Sequence, residues 1–539
     1  MATAWQTFPI EFRGGLVSNL SPLQHGSQAV GSASILQNFE PSLTGGYSKI
    51  KGYAKFNANK IELTSNSGGS NKIQGIATVD TDTAIIPRLD SAHANLVYYK
   101  VTPSTIAACH TVGSGDHAHV SRNPTATSAK IRYALYNFNG TDKAVLVDGT
   151  NYPAFYDSSA SVGSEITFIT SASSGTPANV LGASFVALFN DCLFFVTGAN
   201  KDNLLSMQIK NDTDFAGGQP SVTNYPDEVT GLIPFRDQLI LFTRQAIYKI
   251  TGTSGNFKSA EITTQIGCIE PDTIAEVGGD ILFMAPDGIR SLAATDRIGD
   301  FSLEVASAPI KKDIDNFTSG SFHAVTLREK AQYRIFKHNV AIQDESAEGY
   351  LATKFIAQGG TGLSWAKTVG INAFVTDSRY MGQSGTSTEL ILFANDDGYL
   401  YRMDSTDTFD GAVISSIFES PPMPVNDPLV RKTFYKLVLY IDATGSFSSD
   451  VTLKYDTGST DVIQPSPISI SSDGQATVLY GGATFGASTT TYGTPLDVIY
   501  NTNITGSGKT IQLRLEDKTG TANYRLDTAL LEYANNDRQ

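Results

Sequence analysis

The sequence predicts an all-β chain, with a β-propeller-like domain of about five to seven blades and an additional C-terminal β-sandwich-like domain. Short apolar runs rich in Val, Ile, Phe, Tyr and Leu are closed by turn residues along most of the chain. A similar phrase returns in the middle of the chain, and the pattern changes after a proline-rich break. These observations divide the chain into an N-terminal arm with the first strands (1–70), the propeller-like domain (71–420) and the sandwich-like domain (421–539).

The composition suits a chain with many tight turns. Glycine contributes 48 of the 539 residues, and Ser, Thr, Asn and Asp crowd between the apolar runs. These residues tolerate or stabilise turn dihedrals. Because a single core stops growing near ~250 to 300 residues, we expect two or three domains. The charged fraction of 17% lies below the ~25% of typical soluble domains, so the surface is expected to be polar but sparsely charged.

A repeated phrase in the middle of the chain predicts propeller blades. It begins at Phe185, Gly231 and Ile274, a spacing of roughly 45 residues, which is the length of a four-stranded blade. In each copy an apolar strand reaches a polar turn and a strongly apolar strand follows, the turns being Asn190-Asp191, Arg236-Asp237 and Gly279-Asp280. Because blades bury one another's faces, several of them must close into a ring.

Two looser relatives extend the repeat. Residues 143–156 and 390–403 contain the hairpin signals Asp148-Gly149 and Asp397-Gly398. Residues 102–127 interrupt the pattern with a polar, glycine-containing stretch, and we interpret them as an insertion.

The chain changes character after residues 421–424, whose prolines disfavour a regular ladder. Beyond them, residues 434–441, 451–455 and 511–516 alternate apolar and polar positions, which is typical of a sandwich that buries one face of each strand. The best helix candidate is residues 308–317, where apolar side chains recur at helical spacing.

The charge balance argues against tight binding to nucleic acid. The formal net charge is −14 and the pI is near 5.0. A firm grip on phosphate depends on Lys and Arg displacing counterions. The N-terminal sequence has no basic segment followed by an apolar one, and no run of ~18 apolar residues occurs, so neither an export signal nor a membrane span is predicted.

The three cysteines are predicted to be small core residues. Cys109, Cys192 and Cys268 lie in or beside apolar segments, at spacings that suit no metal-binding motif. A disulfide-rich secreted scaffold is therefore excluded.

One group of residues has metal-ligand character: His110, Asp116, His117 and His119. Imidazole and carboxylate groups supply the N and O donors that Zn²⁺ accepts. The spacing is loose and glycines lie within the group, so we interpret it as a polar loop tip.

Carboxylate pairs invite a glycosidase interpretation, with one acid and one base or nucleophile. Asp396-Asp397 is explained by hairpin turn chemistry, however, and Asp313 and Asp315 by a solvated helix face. The two tryptophans supply a sugar-stacking cleft poorly, although 23 tyrosines keep carbohydrate binding open.

The segment Gly506-Ser-Gly-Lys-Thr510 is a short look-alike of a phosphate-binding loop. It lacks the required first glycine, and the residues that follow it read as a strand where that loop needs a helix. No Gly-x-Ser-x-Gly nucleophile motif occurs. We predict no catalytic, cofactor-binding or metal-ligating residue and no cofactor.

Several segments resemble the tail nozzle and tail hub proteins of short-tailed bacteriophages, a family that stabilises packaged DNA. Residues 38–53 combine an Asn, a Pro, paired glycines and a basic tail, like the N-terminal phrase of that family. The meander at Arg236-Asp237, followed by Gly267 and Asp287-Gly288-Ile289, looks like the family's propeller. Residues 524–533 are similar to its closing strand.

The resemblance implies a structural virion protein and not an enzyme. It implies a homohexamer below the portal and adaptor that continues the DNA ejection channel and helps retain packaged DNA, which passes without sequence-specific binding. The implied partners are the adaptor protein and tail fibres or spikes, and the implied location is the virion tail, with the host cytoplasm during assembly. Residues 102–127 depart from the pattern, so no function is carried over to them.

A second class stays open. A carbohydrate-binding or carbohydrate-cleaving β-propeller in a tail protein that contacts the host receptor is the alternative interpretation of the same sequence.

Overall fold

The structure is a computed structural model of the chain and consists almost entirely of antiparallel β-strands. It describes residues 5–28, 31–43, 45–61, 72–89, 96–109, 130–168, 180–198, 200–212, 222–292, 305–317, 320–339, 346–357, 360–383, 386–443, 448–471, 498–517 and 523–536. The N-terminal elements are β1 (Gln6–Glu11), α1 (Pro22–Gln28), β2 (Ile35–Gln37), β3 (Phe39–Pro41), β4 (Tyr47–Lys49) and β5 (Gly52–Lys55).

Four consecutive meanders of four strands each follow, and we number them as blades 1 to 4. Blade 1 contains β6 (Ala77–Asp80), β7 (Thr83–Leu89), β8 (Leu96–Val101) and β9 (Ile106–Ala108). Blade 2 contains β10 (Arg132–Tyr136), β11 (Lys143–Val147), β12 (Ala154–Asp157) and β13 (Ile166–Phe168). Blade 3 contains β14 (Phe185–Phe189), β15 (Cys192–Val196), β16 (Asn203–Ser206) and β17 (Val222–Asn224). Blade 4 contains β18 (Val229–Phe235), β19 (Gln238–Thr243), β20 (Ile247–Thr251) and β21 (Lys258–Thr263).

Three further meanders complete the propeller as blades 5 to 7. Blade 5 contains β22 (Glu270–Val277), β23 (Asp280–Ala285) and β24 (Gly288–Ser291). A 3-10 turn (Ala308–Ile310) and helix α2 (Lys311–Asn316) lead to blade 6, which contains β25 (Ser321–Leu327), β26 (Gln332–His338), β27 (Glu348–Ala357) and β28 (Gly360–Val369). Blade 7 contains β29 (Val375–Gln383), β30 (Thr386–Ala394), β31 (Leu400–Thr406) and, as its outer strand, β5.

The blades close into a β-propeller, as the sequence predicts. Six of them are separate sheets in the described part of the chain, and blade 6 forms the first four strands of a nine-stranded sheet. The first strand of each blade contacts the first strand of the next, and β29 contacts β6 to complete the circle. An apolar core lies between each pair of neighbouring blades, including blades 7 and 1, where Leu392 and Ile86 share one cluster. Burial of blade faces against each other therefore holds the ring together.

The repeated phrase marks the first hairpin of blades 3, 4 and 5. In blade 3, Phe189 pairs with Cys192, and the two turn residues have positive φ, 45° at Asn190 and 60° at Asp191. This is the geometry that two-residue hairpins prefer, because it matches the twist of the flanking strands. Blade 5 meets the same requirement with Gly278 and its neighbour.

Strand β5 closes the ring. It comes from the N-terminal part of the chain and pairs antiparallel with β31, the third strand of blade 7. Tyr53 anchors it, since its ring centroid lies 4.9 Å from that of Phe393, 5.3 Å from that of Tyr401 and 5.1 Å from that of Phe409. Only 5% of Tyr53 is exposed, so its burial contributes to holding the closing strand.

A β-sandwich follows the propeller in sequence. Its strands are β32 (Ser416–Glu419), β33 (Lys432–Ala443), β34 (Ser448–Tyr455), β35 (Ile468–Ser471), β36 (Val498–Asn503), β37 (Ser507–Gly508), β38 (Ile511–Asp517) and β39 (Tyr524–Asn535), with a 3-10 turn at Asp456–Gly458. One sheet has the order β3-β4-β39-β33-β36, with β1 on β39 and β37 on β33. Buried and half-buried positions alternate along β38, as its sequence predicts, and the buried side faces the other sheet.

The second sheet of the sandwich is continuous with blade 6. In the nine-stranded sheet, β28 of blade 6 pairs in parallel with β2, and β2 pairs with β32, which leads on to β38, β34 and β35. One buried apolar cluster includes Ile335 of blade 6, Leu515 of β38 and Leu437 of β33. The propeller and the sandwich thus share both a sheet and a core.

The structure differs from the predicted organisation at the N-terminus. The described strands between residues 5 and 61 do not form an arm of their own, because β1, β3 and β4 pair within the sandwich and β5 completes blade 7. The partners of β1, β4 and β5 on β39 and β31 are hundreds of positions away in the chain, as Leu526 is from Tyr47, and local sequence patterns carry no signal for them. Gly46, one of the paired glycines, lies between the paired strands β3 and β4 with φ of 80°.

The helix predicted near residue 308 is confirmed, while α1 was not predicted. Helix α1 is only seven residues long and has no strong apolar periodicity. Part of the predicted insertion at 102–127 belongs to blade 1, since β9 is its outer strand, and residues 110–127 lie outside the described residues.

Candidate functional site

The first strands of the blades surround a cavity at one end of the propeller axis. Its volume is about 380 Å³, and its walls are formed by Lys130, Arg132, Asp148, Gly149, Thr150, Ser184, Lys201, Glu270, Asp272, Gly320 and Ser321. These residues lie near the starts of first strands and in turns between second and third strands. Both kinds of segment meet at the same end because a meander reverses direction at each turn.

An ion-pair cluster crosses the axis beside this cavity. Arg132 of blade 2 donates two hydrogen bonds to Asp272 of blade 5, from Nε to Oδ1 at 2.8 Å and from Nη2 to Oδ2 at 3.0 Å. The Lys130 ammonium lies 3.5 Å from Asp272 Oδ2 and donates to the Phe322 carbonyl of blade 6 at 2.5 Å. Burial alone would raise the pKa of Asp272, but Arg132 and Lys130 hold it well below its usual range.

His323 lies next to this cluster on β25. Burial, reinforced by the positive charge of Lys130, lowers the pKa of His323 to about 3. Its Nδ1 lies 2.6 Å from the Thr376 hydroxyl of blade 7. The imidazole is therefore neutral at pH 7 and links blades 6 and 7.

A second buried carboxylate ties blades 7, 1 and 2 together. Asp377 Oδ2 accepts hydrogen bonds from the Thr78 backbone N–H at 2.8 Å and from the Tyr133 hydroxyl at 2.7 Å. Burial raises the pKa of Asp377, and burial with the nearby Asp377 raises that of Tyr133. Arg379 Nη1 donates to the Thr78 carbonyl at 3.1 Å. These bonds brace the ring at its closing seam.

Glu270 stands apart from the braced groups. It lies two residues before Asp272 on β22 and is half-buried in the cavity wall. Burial raises the pKa of Glu270, which the nearby Lys130 only partly opposes. No hydrogen bond or ion pair to its carboxylate occurs among the described residues.

The axial carboxylates are poorly arranged for hydrolysis. An acid and a base with separated pKa values are the usual signature of acid–base catalysis, and Glu270 and Asp272 show such a separation. Both oxygens of Asp272, however, are bonded by the Arg132 guanidinium, which makes this carboxylate a weak base. The cluster is better suited to bracing and to binding than to proton transfer.

A second buried polar network joins the propeller to the sandwich. Arg334 of β26 donates from Nη2 to Glu40 of β3 and to Asp404 near the end of β31, each at 3.1 Å. Lys330 Nζ lies 2.7 Å from Glu40 and 2.6 Å from Asp404. The Arg334 side chain is 1% exposed. Burial would raise the pKa of Asp404, but Arg334 and Lys330 lower it, so Asp404 is held as an anion in this joint.

A buried ion pair also joins the two sheets of the sandwich. Lys49 of β4 lies 2.9 Å from Asp517 of β38, with side-chain exposures of 1% and 0%. Removing one partner of such a pair leaves an uncompensated buried charge. The pair therefore fixes the N-terminal strands against the C-terminal ones.

The carboxylates considered as catalytic pairs lie in a turn and on a helix. Asp397 accepts a hydrogen bond from the Tyr399 N–H in the β30–β31 turn, and Asp396 lies 2.8 Å from His338 Nε2. Asp315 pairs with Lys311 on the exposed face of α2. Asp313 lies in the first turn of the same helix.

The phosphate-loop look-alike is β structure. Residues 506–510 include the short strand β37 and lead into β38. His110, Asp116, His117 and His119 lie outside the described residues. Within the described ranges, no group of three or more His, Cys, Asp or Glu is placed to hold a metal ion.

The cysteines are core residues, as predicted. All three are buried free thiols, and burial raises the pKa of both Cys109 and Cys268 to about 12. None of the helices in the described part of the chain has the length and apolar character needed to cross a membrane.

Sequence reasoning missed the axial cluster. Its only local signals are the alternations Lys130-x-Arg132 and Glu270-x-Asp272. Alternation places two side chains on one side of a strand, but nothing in the sequence pairs Arg132 with a residue 140 positions away.

Comparison with known proteins finds likeness in fold only. No protein-family model and no curated protein matches the sequence. The exo-β-1,3-galactanase of Phanerochaete chrysosporium aligns over 90% of this chain and 100% of its own at 11% identity, with a TM-score of 0.28. The WD40 domain of Neurospora crassa Pan2 aligns over 66% of this chain and 96% of its own at 6% identity, with a TM-score of 0.34. The AfRom2 CNH domain aligns over 64% of this chain and 99% of its own at 11% identity, with a TM-score of 0.32. Likenesses this weak say nothing of this chain's activity.

Proposed function

We propose that this chain is a non-enzymatic structural subunit of a short-tailed bacteriophage virion, a tail nozzle or hub protein. Six copies would form a ring that continues the DNA ejection channel below the portal and adaptor. The observation that carries a structural role is the sheet shared by propeller and sandwich, with its buried Arg334 joint. Two domains that share a sheet and a core make a stiff block, which is what the wall of a channel requires. The phage assignment depends on the resemblance of residues 38–53 and 524–533 to that family.

The use of charge at the axis supports a structural role. Asp272 forms ion pairs with Arg132 and Lys130 across the propeller. Asp377 accepts hydrogen bonds from blades 1 and 2. Such bonds hold seven blades at fixed positions. The edges and loops of the propeller then supply surfaces for the adaptor protein and for tail fibres or spikes.

The net negative charge of the chain suits the passage of DNA. Six copies at a formal charge of −14 each carry −84. An acidic lumen repels the phosphate backbone, so DNA slides without being held and without sequence-specific binding. On this proposal the protein resides in the virion tail and, during assembly, in the host cytoplasm.

Electron microscopy of the concentrated protein tests the assembly. We expect class averages with six-fold rings and a native mass of six times 57.6 kDa. A monomer at every concentration, alone and mixed with lysate of phage-infected host cells, contradicts the proposal. Duplex DNA supplies a second test: fluorescence anisotropy should show no binding at physiological salt, whereas retention of the duplex argues against a passive channel.

A further inference from the structure

The axial cavity has the size of a ligand site and a polar lining. Its volume of about 380 Å³ lies within the ~300 to 1,000 Å³ of small-molecule sites. Thr150, Ser184, Ser321 and charged residues make up much of the lining, and none of the described residues that line the cavity has a large apolar side chain. A ligand that fits this wall must be polar over most of its surface.

The charges in the lining balance. Among the described residues of the lining, three are basic, Lys130, Arg132 and Lys201, and three are acidic, Asp148, Glu270 and Asp272. A cationic ligand would meet the first set and an anionic ligand the second. A neutral ligand that both donates and accepts hydrogen bonds is repelled by neither set.

Most of these charges are already engaged. Asp148 Oδ1 accepts from the backbone N–H groups of Thr150 and Asn151 at 2.7 Å each, and the Asn151 amide donates to Oδ2 at 2.6 Å. Lys201 lies 3.2 Å from Glu228. Within the described residues, Glu270 is the lining carboxylate to which no protein group bonds. A ligand hydroxyl that donates to Glu270 would restore part of what burial costs this group.

We propose that the axial cavity binds a saccharide residue, with Glu270 accepting hydrogen bonds from adjacent sugar hydroxyls. Thr150 and Ser321 line the same cavity, and their hydroxyl groups would add donors and acceptors for the sugar ring. The sugar is bound and not cleaved, because Arg132 engages both oxygens of Asp272, the second carboxylate on β22. This site gives the proposed wall protein a contact to surface glycans, and it stands whether or not the chain forms a ring.

A matched pair of variants on one strand tests the site. Glu270→Gln removes the acceptor charge in the cavity, and Glu276→Gln makes the same change on the exposed side of β22. Glycan arrays identify a bound saccharide, and saturation-transfer NMR with the corresponding monosaccharide measures its affinity. We expect Glu270→Gln to weaken binding roughly tenfold or more, with Glu276→Gln unchanged. Thermal unfolding of both variants verifies that they are folded.

Three results overturn the site. The first is wild-type protein that binds no glycan on the array and no monosaccharide at millimolar concentration. The second is glycan binding that Glu270→Gln leaves intact, which places the sugar elsewhere. The third is binding of spermidine or citrate in the cavity in place of sugars, which assigns it to a charged ligand. Failure to form rings affects none of these readouts, so the two proposals fail separately.

Discussion

Arg132 and Asp272 meet across the propeller, where blade 2 and blade 5 are joined by hydrogen bonds of 2.8 and 3.0 Å. The blades are three positions apart in the ring, so this contact is not part of the packing between neighbours. The guanidinium also lies over the Phe185 ring of blade 3, 4.4 Å from its centroid. One side chain thus touches three blades, and bonds of this kind fix the diameter of the ring.

Removal of either partner should destabilise the propeller. Asp272→Asn leaves Arg132 and Lys130 without their anion, and we expect a loss of about 3 kcal/mol in the free energy of unfolding. Glu228→Gln, which removes an exposed partner of Lys201, should cost less than about 1 kcal/mol. Urea unfolding followed by tryptophan and tyrosine fluorescence measures both. Equal effects from the two variants would show that the axial pair does not brace the ring.

The pH dependence of stability should reveal His323. Its pKa is about 3 in the folded chain and near 6.5 when unfolded, so the unfolded chain binds the extra proton as pH falls through this window. Stability is therefore fully present above pH 6.5 and declines by up to about 1.4 kcal/mol per pH unit below it. His323→Gln should flatten this decline in thermal scans between pH 7.5 and 5.0. An unchanged slope of stability against pH would mean that the imidazole ring of His323 is not held neutral.

The junction between propeller and sandwich should depend on Arg334. Arg334→Leu leaves the buried Glu40 and Asp404 with Lys330 as the cation that pairs with both, and Glu40 keeps the hydrogen bond from Gln332. We expect a loss of about 3 kcal/mol in the free energy of unfolding. Hydrogen exchange should rise in β3 and β26, the strands that the side chain connects. Lys311→Gln, which opens an exposed pair on α2, is the control and should change stability by less than about 1 kcal/mol. Unchanged exchange in β3 would contradict a joint at this position.

Closure of the ring should depend on Tyr53. Tyr53→Ala removes from the closing strand β5 an aromatic ring that is buried among three aromatic neighbours. This should lower the free energy of unfolding by about 3 kcal/mol or more. Tyr380→Ala, at a side chain 40% exposed on the same blade, is the control. Limited proteolysis should cut the Tyr53→Ala chain near β5 sooner than the control. Equal resistance in both variants would mean that β5 closes the ring without this anchor.

Local features of the fold were predictable from the sequence, and its long-range pairings were not. Turn residues such as Asn190-Asp191 specify hairpins because few residues accept positive φ, and the alternation along β38 specifies a strand buried on one side. The pairings of β1 with β39 and of β5 with β31 join distant parts of the chain, and no periodicity reports on them. The axial site was missed for the same reason. Arg132 and Asp272 are ordinary strand residues until the ring closes.

A channel wall requires that the propeller and the sandwich form one stiff unit, and a distance measurement between them tests this directly. Val162 on blade 2 is 81% exposed and Ile463 in the sandwich is 89% exposed, while the three native cysteines are buried, so cysteines placed at these two positions accept spin labels selectively. Double electron–electron resonance of the Val162→Cys/Ile463→Cys chain should give one narrow distance distribution. A broad or two-peaked distribution would show that the two parts move independently, which contradicts a rigid wall.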